Sequence, residues 1–131
     1  MILENILLID DSDIDNLVNR KVFENAGLSK TITIEKSAES AIRYLHDIAQ
    51  NDTGQIPDLI FLDIRMPEID GFGFLELFEE LPEIVHKKTK IVMLSSSVDA
   101  EDHKKAMANR FVVHYLNKPL KKESVQKLTQ L

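Results

Sequence analysis

At 131 residues the chain has the length of one domain with no room for two, and 44% hydrophobic against 29% charged residues is a globular balance, not a disordered one. A net charge of −6 argues against a phosphate-backbone partner, which needs clustered Lys and Arg, and the absence of cysteine removes disulfides, thiolate metal sites and cysteine nucleophiles. No basic stretch precedes the first apolar run and no run approaches the ~18 residues that span a bilayer, so the expectation is one domain over residues 1–131, cytoplasmic, without membrane insertion or direct nucleic-acid contact.

Short apolar runs alternate with helix-period segments along the whole length. Ile6-Leu7-Leu8-Ile9 predicts a first strand that stops at the acidic pair Asp10-Asp11. Ser12 then caps a helix running to about Ala26, with Ile14, Leu17, Val18 and Val22 on one face and Gly27 as terminator. Thr31-Ile32-Thr33-Ile34 alternates as a strand, and Ser37 caps a helix whose Ala38, Ala41, Ile42, Leu45, Ile48 and Ala49 fall at helical spacing. After the polar loop Asn51-Asp52-Thr53-Gly54-Gln55 and Pro57 comes the most apolar strand, Leu59-Ile60-Phe61-Leu62, ending at Asp63. A continuous apolar run suits a central strand covered on both faces.

Gly71 opens the next helix, which buries Phe74, Leu75, Phe78 and Leu81 before Pro82 and a basic linker, His86-Lys87-Lys88-Thr89-Lys90. Ile91-Val92-Met93-Leu94 is the fourth strand and leads into Ser95-Ser96-Ser97. The helix from Ala100 to about Asn109 is poor in apolar residues and is expected to be comparatively mobile. Val112-Val113-His114-Tyr115-Leu116 is the fifth strand, Lys118-Pro119 breaks the pattern, and a short helix runs from Glu123 to Leu131. Five such units predict an α/β fold: a doubly wound, five-stranded parallel sheet in the flavodoxin-like order 2-1-3-4-5, with helices on both faces.

The chemistry lies in what stands at the carboxyl end of each strand: Asp10 and Asp11 after the first, Asp63 after the third, Ser95 after the fourth and Lys118 after the fifth. In a parallel sheet these ends share one edge, and in this order the first, third and fourth strands are neighbours. Three carboxylates brought together repel and raise one another's pKa. A hard divalent cation such as Mg²⁺, which prefers oxygen ligands, offsets that repulsion. Asp63 can then act as a carboxylate nucleophile toward phosphorus, with Lys118 neutralising charge on the transferring group and the Ser95 hydroxyl donating to a phosphate oxygen. An Asp-Asp pair alone reads as a turn and helix start, and a lone Lys-Pro carries less still; their occurrence together, in chain order at successive strand ends, is what counts.

From Ile6 to about Leu120 the sequence resembles the receiver domain of bacterial two-component response regulators. The resemblance rests on Leu8-Ile9-Asp10-Asp11-Ser12, Leu62-Asp63-Ile64-Arg65-Met66-Pro67, Leu94-Ser95-Ser96 and Asn117-Lys118-Pro119. It implies that Asp63 is phosphorylated, that Asp11 binds Mg²⁺ directly with Asp10 assisting, and that the Arg65 backbone carbonyl is a ligand. It further implies that Ser95 is the switch hydroxyl, that Tyr115 is its aromatic rotamer partner, and that the Lys118-Pro119 peptide is cis. The Arg65 and Ser97 side chains would flank the phosphoryl group.

Other readings fit less well. A haloacid-dehalogenase type phosphatase needs an acid two residues after its nucleophile, where this chain has Arg65. A receiver-like module that has lost its chemistry would have lost site residues, and all are filled. An acidic first loop would repel a flavin phosphate, and His46, His86, His103 and His114 lack zinc spacing and read as mostly solvated. The expectation is therefore a non-enzymatic phosphorelay component. Its partners would be a sensor histidine kinase or histidine phosphotransfer protein and a downstream protein target. Output would pass through the face of the helix from Ala100, the fifth strand and the last helix.

Overall fold

The computed structural model describes residues 3–27, 29–96 and 99–128. Five strands, β1 (Leu3–Ile9), β2 (Ser29–Glu35), β3 (Leu59–Asp63), β4 (Lys90–Ser95) and β5 (Val112–Asn117), form one sheet in the order β2-β1-β3-β4-β5. Every pairing is parallel, and β3 and β4 keep an unbroken register from Leu59 opposite Lys90 to Asp63 opposite Leu94. All five residues of β3 are buried, as its uniform apolar character predicts for a central strand.

Among the described residues six helices cover the two faces: α1 (Asp13–Ala26), α2 (Ala38–Asn51), α3 (Gly71–Glu79), α4 (Glu83–Lys88), α5 (Ala100–Met107) and α6 (Lys122–Leu128). Side chains alternate across each strand. Leu7, Ile9, Ile60 and Leu62 therefore join Ala41, Leu45, Phe74 and Phe78 in a core on one face. Ile6, Leu8, Phe61 and Leu94 join Phe23, Leu120 and Val125 in a second core on the other. On that second face Phe23 and Phe61 pack with ring centroids 4.6 Å apart.

The predicted caps are present. The Ser12 side chain accepts from the Asp15 N–H and Ser37 from Ser40, while Gly27 closes α1 at φ 63°, a left-handed geometry that glycine adopts without penalty. Three elements differ from the expectation. The stretch expected as a basic linker contains α4, a short helix entered through Pro82 and anchored by Val85, which is fully buried; one apolar anchor in six residues leaves too little periodicity to read. His86 on this helix lies 2.7 Å from the Phe78 carbonyl and packs tilted against the Phe78 and Phe111 rings, so it is half-buried and donating, not solvated. The polar loop after α2 holds a single 3₁₀ turn, Thr53–Gln55.

The third difference concerns α1. The apolar stripe Ile14, Leu17 and Val18 is exposed, at 75%, 56% and 41%, while the buried residues of the helix are Asn16, Asn19 and Phe23. Asn16 goes inside with a partner at the sheet edge, its carboxamide N–H donating to the Asp10 carbonyl at 2.8 Å.

Candidate functional site

Because every strand runs the same way, the carboxyl ends of β1, β3, β4 and β5 form one edge, and the residues singled out in the sequence stand along it. Asp10 and Asp11 follow β1, Asp63 ends β3, Ser95 ends β4 and Lys118 follows β5. One carboxylate oxygen each from Asp10, Asp11 and Asp63 lie within 4.8 Å of one another. Asp10 and Asp63 are buried, at 2% and 5% exposure, whereas Asp11 faces solvent.

Lys118 closes the cluster. Its Nζ lies 2.7 Å from Asp10 Oδ2, 2.8 Å from Asp15 Oδ2 and 3.0 Å from Asp63 Oδ1. The peptide after it, Lys118-Pro119, is cis. The Lys118 backbone N–H donates to the Ser95 carbonyl at 2.8 Å, which ties β5 to β4 at the site. The second oxygen of Asp10 accepts from the Ser12 N–H at 2.9 Å, so that carboxylate is held from both sides.

This environment sets the protonation states. Burial pushes the Asp63 carboxyl up to about 6, and repulsion from Asp10 and Asp11 adds to the rise, against the opposing pull of Lys118. Burial alone would lower the Lys118 pKa, but its hydrogen bonds to Asp10, Asp15 and Asp63 outweigh that and hold it above the usual lysine value. At neutral pH the site is thus an ammonium among carboxylates, with Asp63 the carboxyl whose ionisation is hardest to sustain.

The loop from Asp63 to α3 is pinned by its backbone. The Ile64 N–H donates to the Leu94 carbonyl at 3.1 Å, and the Gly71 N–H to the Ile64 carbonyl at 2.8 Å. A Cβ at Gly71 would meet the Asp63 carbonyl oxygen at 2.8 Å and the Ile64 Cα at 2.9 Å, so only glycine fits where α3 abuts the back of the site. The Asp70 side chain caps α3 by accepting from the Gly73 N–H at 2.9 Å.

Arg65 carries its guanidinium away from the aspartate cluster to Asp102 on α5, at 2.7 Å. Next along that helix, the His103 ring stacks on Tyr115 of β5 at 4.7 Å and 14°. The Tyr115 hydroxyl is enclosed and has no hydrogen-bond partner among the described residues. Ser95 is buried at 1% exposure, and Ser97 lies outside the described residues. Sequence reasoning missed Asp15, Asn16, Asp102 and His103. An acidic residue in a first helical turn reads as a complement to the helix dipole, and nothing local marks the other three.

The arrangement suits an oxygen-only ligand set for a hard cation beside a carboxylate that can attack phosphorus. The family model described as the response regulator receiver domain matches residues 6–130. A solved two-component response regulator from Cytophaga hutchinsonii is similar at 32% identity and a TM-score of 0.91, covering 99% of this chain and 96% of that one. A response regulator receiver protein from Dyadobacter fermentans is similar at 33% identity and a TM-score of 0.85, covering 97% and 95%. The two-component response regulator ARR22 of Arabidopsis thaliana is 29% identical over 122 residues, 92% of this chain and 78% of that protein. Receiver domains serve phosphorelay signalling with histidine kinases and downstream effectors and bind Mg²⁺ at an acidic aspartate cluster. With that match, the parallel sheet and the aspartates at its edge, the chain belongs to the response regulator receiver family.

Proposed function

We propose that residues 1–131 act as one receiver unit in which Asp63 accepts a phosphoryl group from a phosphohistidine of a sensor histidine kinase or a histidine phosphotransfer protein. The observation that carries this reading is the grouping of Asp10, Asp11 and Asp63 within 4.8 Å with Lys118 Nζ 3.0 Å from Asp63. In the transfer the P–N bond of the phosphohistidine breaks, a P–O bond to an Asp63 carboxylate oxygen forms, and the imidazole leaves with the bonding electron pair. With its pKa near 6, Asp63 is ionised at neutral pH and retains appreciable basicity as a nucleophile.

The donor set fits Mg²⁺: three carboxylates and no nitrogen or sulfur, with Asp63 raised by burial and further by Asp10 and Asp11, a charge that a cation would stabilise. Asp10, Asp11 and Asp63 would hold the ion together with the Arg65 backbone carbonyl, and the ion would neutralise charge on the phosphoryl oxygens. Lys118 supplies the opposing ammonium, freed from Asp63 Oδ1 as the carboxylate becomes an acyl phosphate. The Ser95 hydroxyl donates to a phosphoryl oxygen once one exists, and Tyr115 responds by changing rotamer. Its unpartnered hydroxyl supports this role, since an enclosed hydroxyl with no acceptor gains by moving to one. The surface of α5, β5 and α6 then changes its affinity for a downstream protein.

The exposed stripe Ile14, Leu17 and Val18 supports a docking place for the donor. It lies on the helix that starts beside Asp11, next to a hollow of about 260 Å³ lined by Asp15, Val18, Asn19, Ser96, Lys118 and Pro119. The test exposes the protein to acetyl phosphate with and without Mg²⁺ and maps the modified residue by mass. Modification at Asp63 that requires Mg²⁺ and disappears in Asp63→Asn is expected. Modification elsewhere, or unchanged in that variant, overturns the reading.

A further inference from the structure

Lys118 has three N–H bonds, and three carboxylates take them. Two of these, Asp10 and Asp63, belong to the aspartate cluster that fits a cation. The third, Asp15, does not. It projects from the first turn of α1, where the Ser12 cap fixes its backbone, and its side chain is 41% exposed against 13% for Lys118. Asp15 therefore stands at the more exposed side of the site and shares the ammonium with the cluster.

We propose that Asp15 is a positioning residue that keeps Lys118 poised between the cluster and that exposed side, in the place an incoming phosphoryl group would occupy; this rests on Asp63 being the phosphoacceptor. An ammonium bonded only to Asp10 and Asp63 would occupy the same carboxylate oxygens as a divalent cation and compete with it. With Asp15 as its anchor, Lys118 releases Asp10 and Asp63 to the cation without losing every partner. It then turns the freed N–H bonds onto the phosphoryl oxygens. The hollow lined by Asp15, Lys118 and Ser96 leaves room for that turn. Asp15 is placed for this work because an acidic residue is favoured in a first helical turn whether or not Lys118 is present, so the anchor costs α1 nothing.

The test is a double-mutant cycle of the parent, Asp15→Ala, Lys118→Ala and the double variant, with Asp15→Asn as the variant that keeps an acceptor oxygen. Two quantities are read: the Mg²⁺ dissociation constant by calorimetry without any donor, and the rate of Asp63 modification by acetyl phosphate at saturating Mg²⁺. Asp15→Ala is expected to weaken Mg²⁺ binding about threefold to tenfold when Lys118 is present and less than about twofold when it is absent, a coupling of the size contacting pairs show. It is expected to slow modification about tenfold in the parent and not at all in the Lys118→Ala background, with Asp15→Asn recovering part of the rate. Equal effects in both backgrounds would reduce Asp15 to a distant charge, and no effect in either would remove its role; both outcomes overturn the inference. Failure of the parent to be modified at Asp63 would overturn the phosphoacceptor reading instead, while the Mg²⁺ coupling still decides whether Asp15 acts through Lys118.

Discussion

Replacing Asp63 by Asn leaves a neutral side chain of nearly the same shape, and so measures what it costs the fold to keep a charge there. In the folded chain burial and the neighbouring aspartates lift this carboxyl from 3.8 to about 6. At about 1.4 kcal/mol per pH unit, that shift sets a penalty of about 3 kcal/mol on the charged form. Water reaching the cluster beside exposed Asp11 screens it to about 1–2 kcal/mol. The sign follows from proton counting. Below about pH 3 both folded and unfolded chains are protonated at Asp63 and the penalty is absent. Between about 4 and 6 the unfolded chain loses its proton first, so stability falls as pH rises, and above 6 the penalty is constant. Urea unfolding of parent and Asp63→Asn in a chelating buffer, at half-unit steps from about pH 3 to 8, should give two curves that converge near pH 3. They should separate to a plateau above pH 6.5, with the variant more stable. Millimolar Mg²⁺ should stabilise the parent by mass action and leave the variant almost unmoved. A pH-independent difference, or a parent more stable than the variant at neutral pH without Mg²⁺, would refute the account of Asp63 as a carboxylate destabilised by burial beside two neighbouring aspartates.

Gly71→Ala should destabilise the protein by about 1–3 kcal/mol through overpacking, since the new methyl meets the Asp63 carbonyl oxygen at 2.8 Å. Chemical denaturation checks it, and a change under about 0.5 kcal/mol would show that the loop yields freely. Thr89→Val removes the hydroxyl that donates to the Pro57 carbonyl at 2.7 Å inside the fold, so a loss of about 1–3 kcal/mol is expected in the same assay. The double variant Ile14→Ser, Leu17→Ser alters side chains that are 75% and 56% exposed and should move the unfolding midpoint little. Phosphoryl transfer from a phosphorylated histidine phosphotransfer protein should slow at least tenfold while modification by acetyl phosphate is unchanged; equal slowing of both would place the defect in the site and not in docking.

The fold was legible because its signals are local. Each strand is a short apolar run, each cap lies within three residues of the group it satisfies, and parallel pairing then gathers the strand ends without further information. Asp10, Asp11, Asp63, Ser95 and Lys118 could be placed on one edge for that reason. What escaped was long-range. The Asp15 to Lys118 contact joins residues 103 apart and Arg65 to Asp102 joins residues 37 apart, and no periodicity marks either. The face of α1 was hidden by a true apolar stripe that turns outward. Helical spacing shows which residues share a face but not which face meets the sheet, and here a carboxamide that finds the Asp10 carbonyl is the one that goes inside.

Helix α5 buries only Ala106 among its eight residues, so apolar packing contributes little to keeping it in place. Three side chains tether it instead: Asp102 to the loop behind Asp63, His103 to Tyr115, and Lys105 over the Phe72 ring of α3 at 4.3 Å, a cation–π contact worth about 0.5–1 kcal/mol. A partly exposed ion pair is worth about 0–1 kcal/mol and an aromatic stack about 0.5–1.5 kcal/mol. The helix is therefore moored by roughly the energy of one or two charge-assisted hydrogen bonds, the amount a single new phosphoryl group can supply. Its moorings end on the loop that follows β3, on α3 and on β5, so α5 is tied to both the loop behind Asp63 and the strand that carries Tyr115.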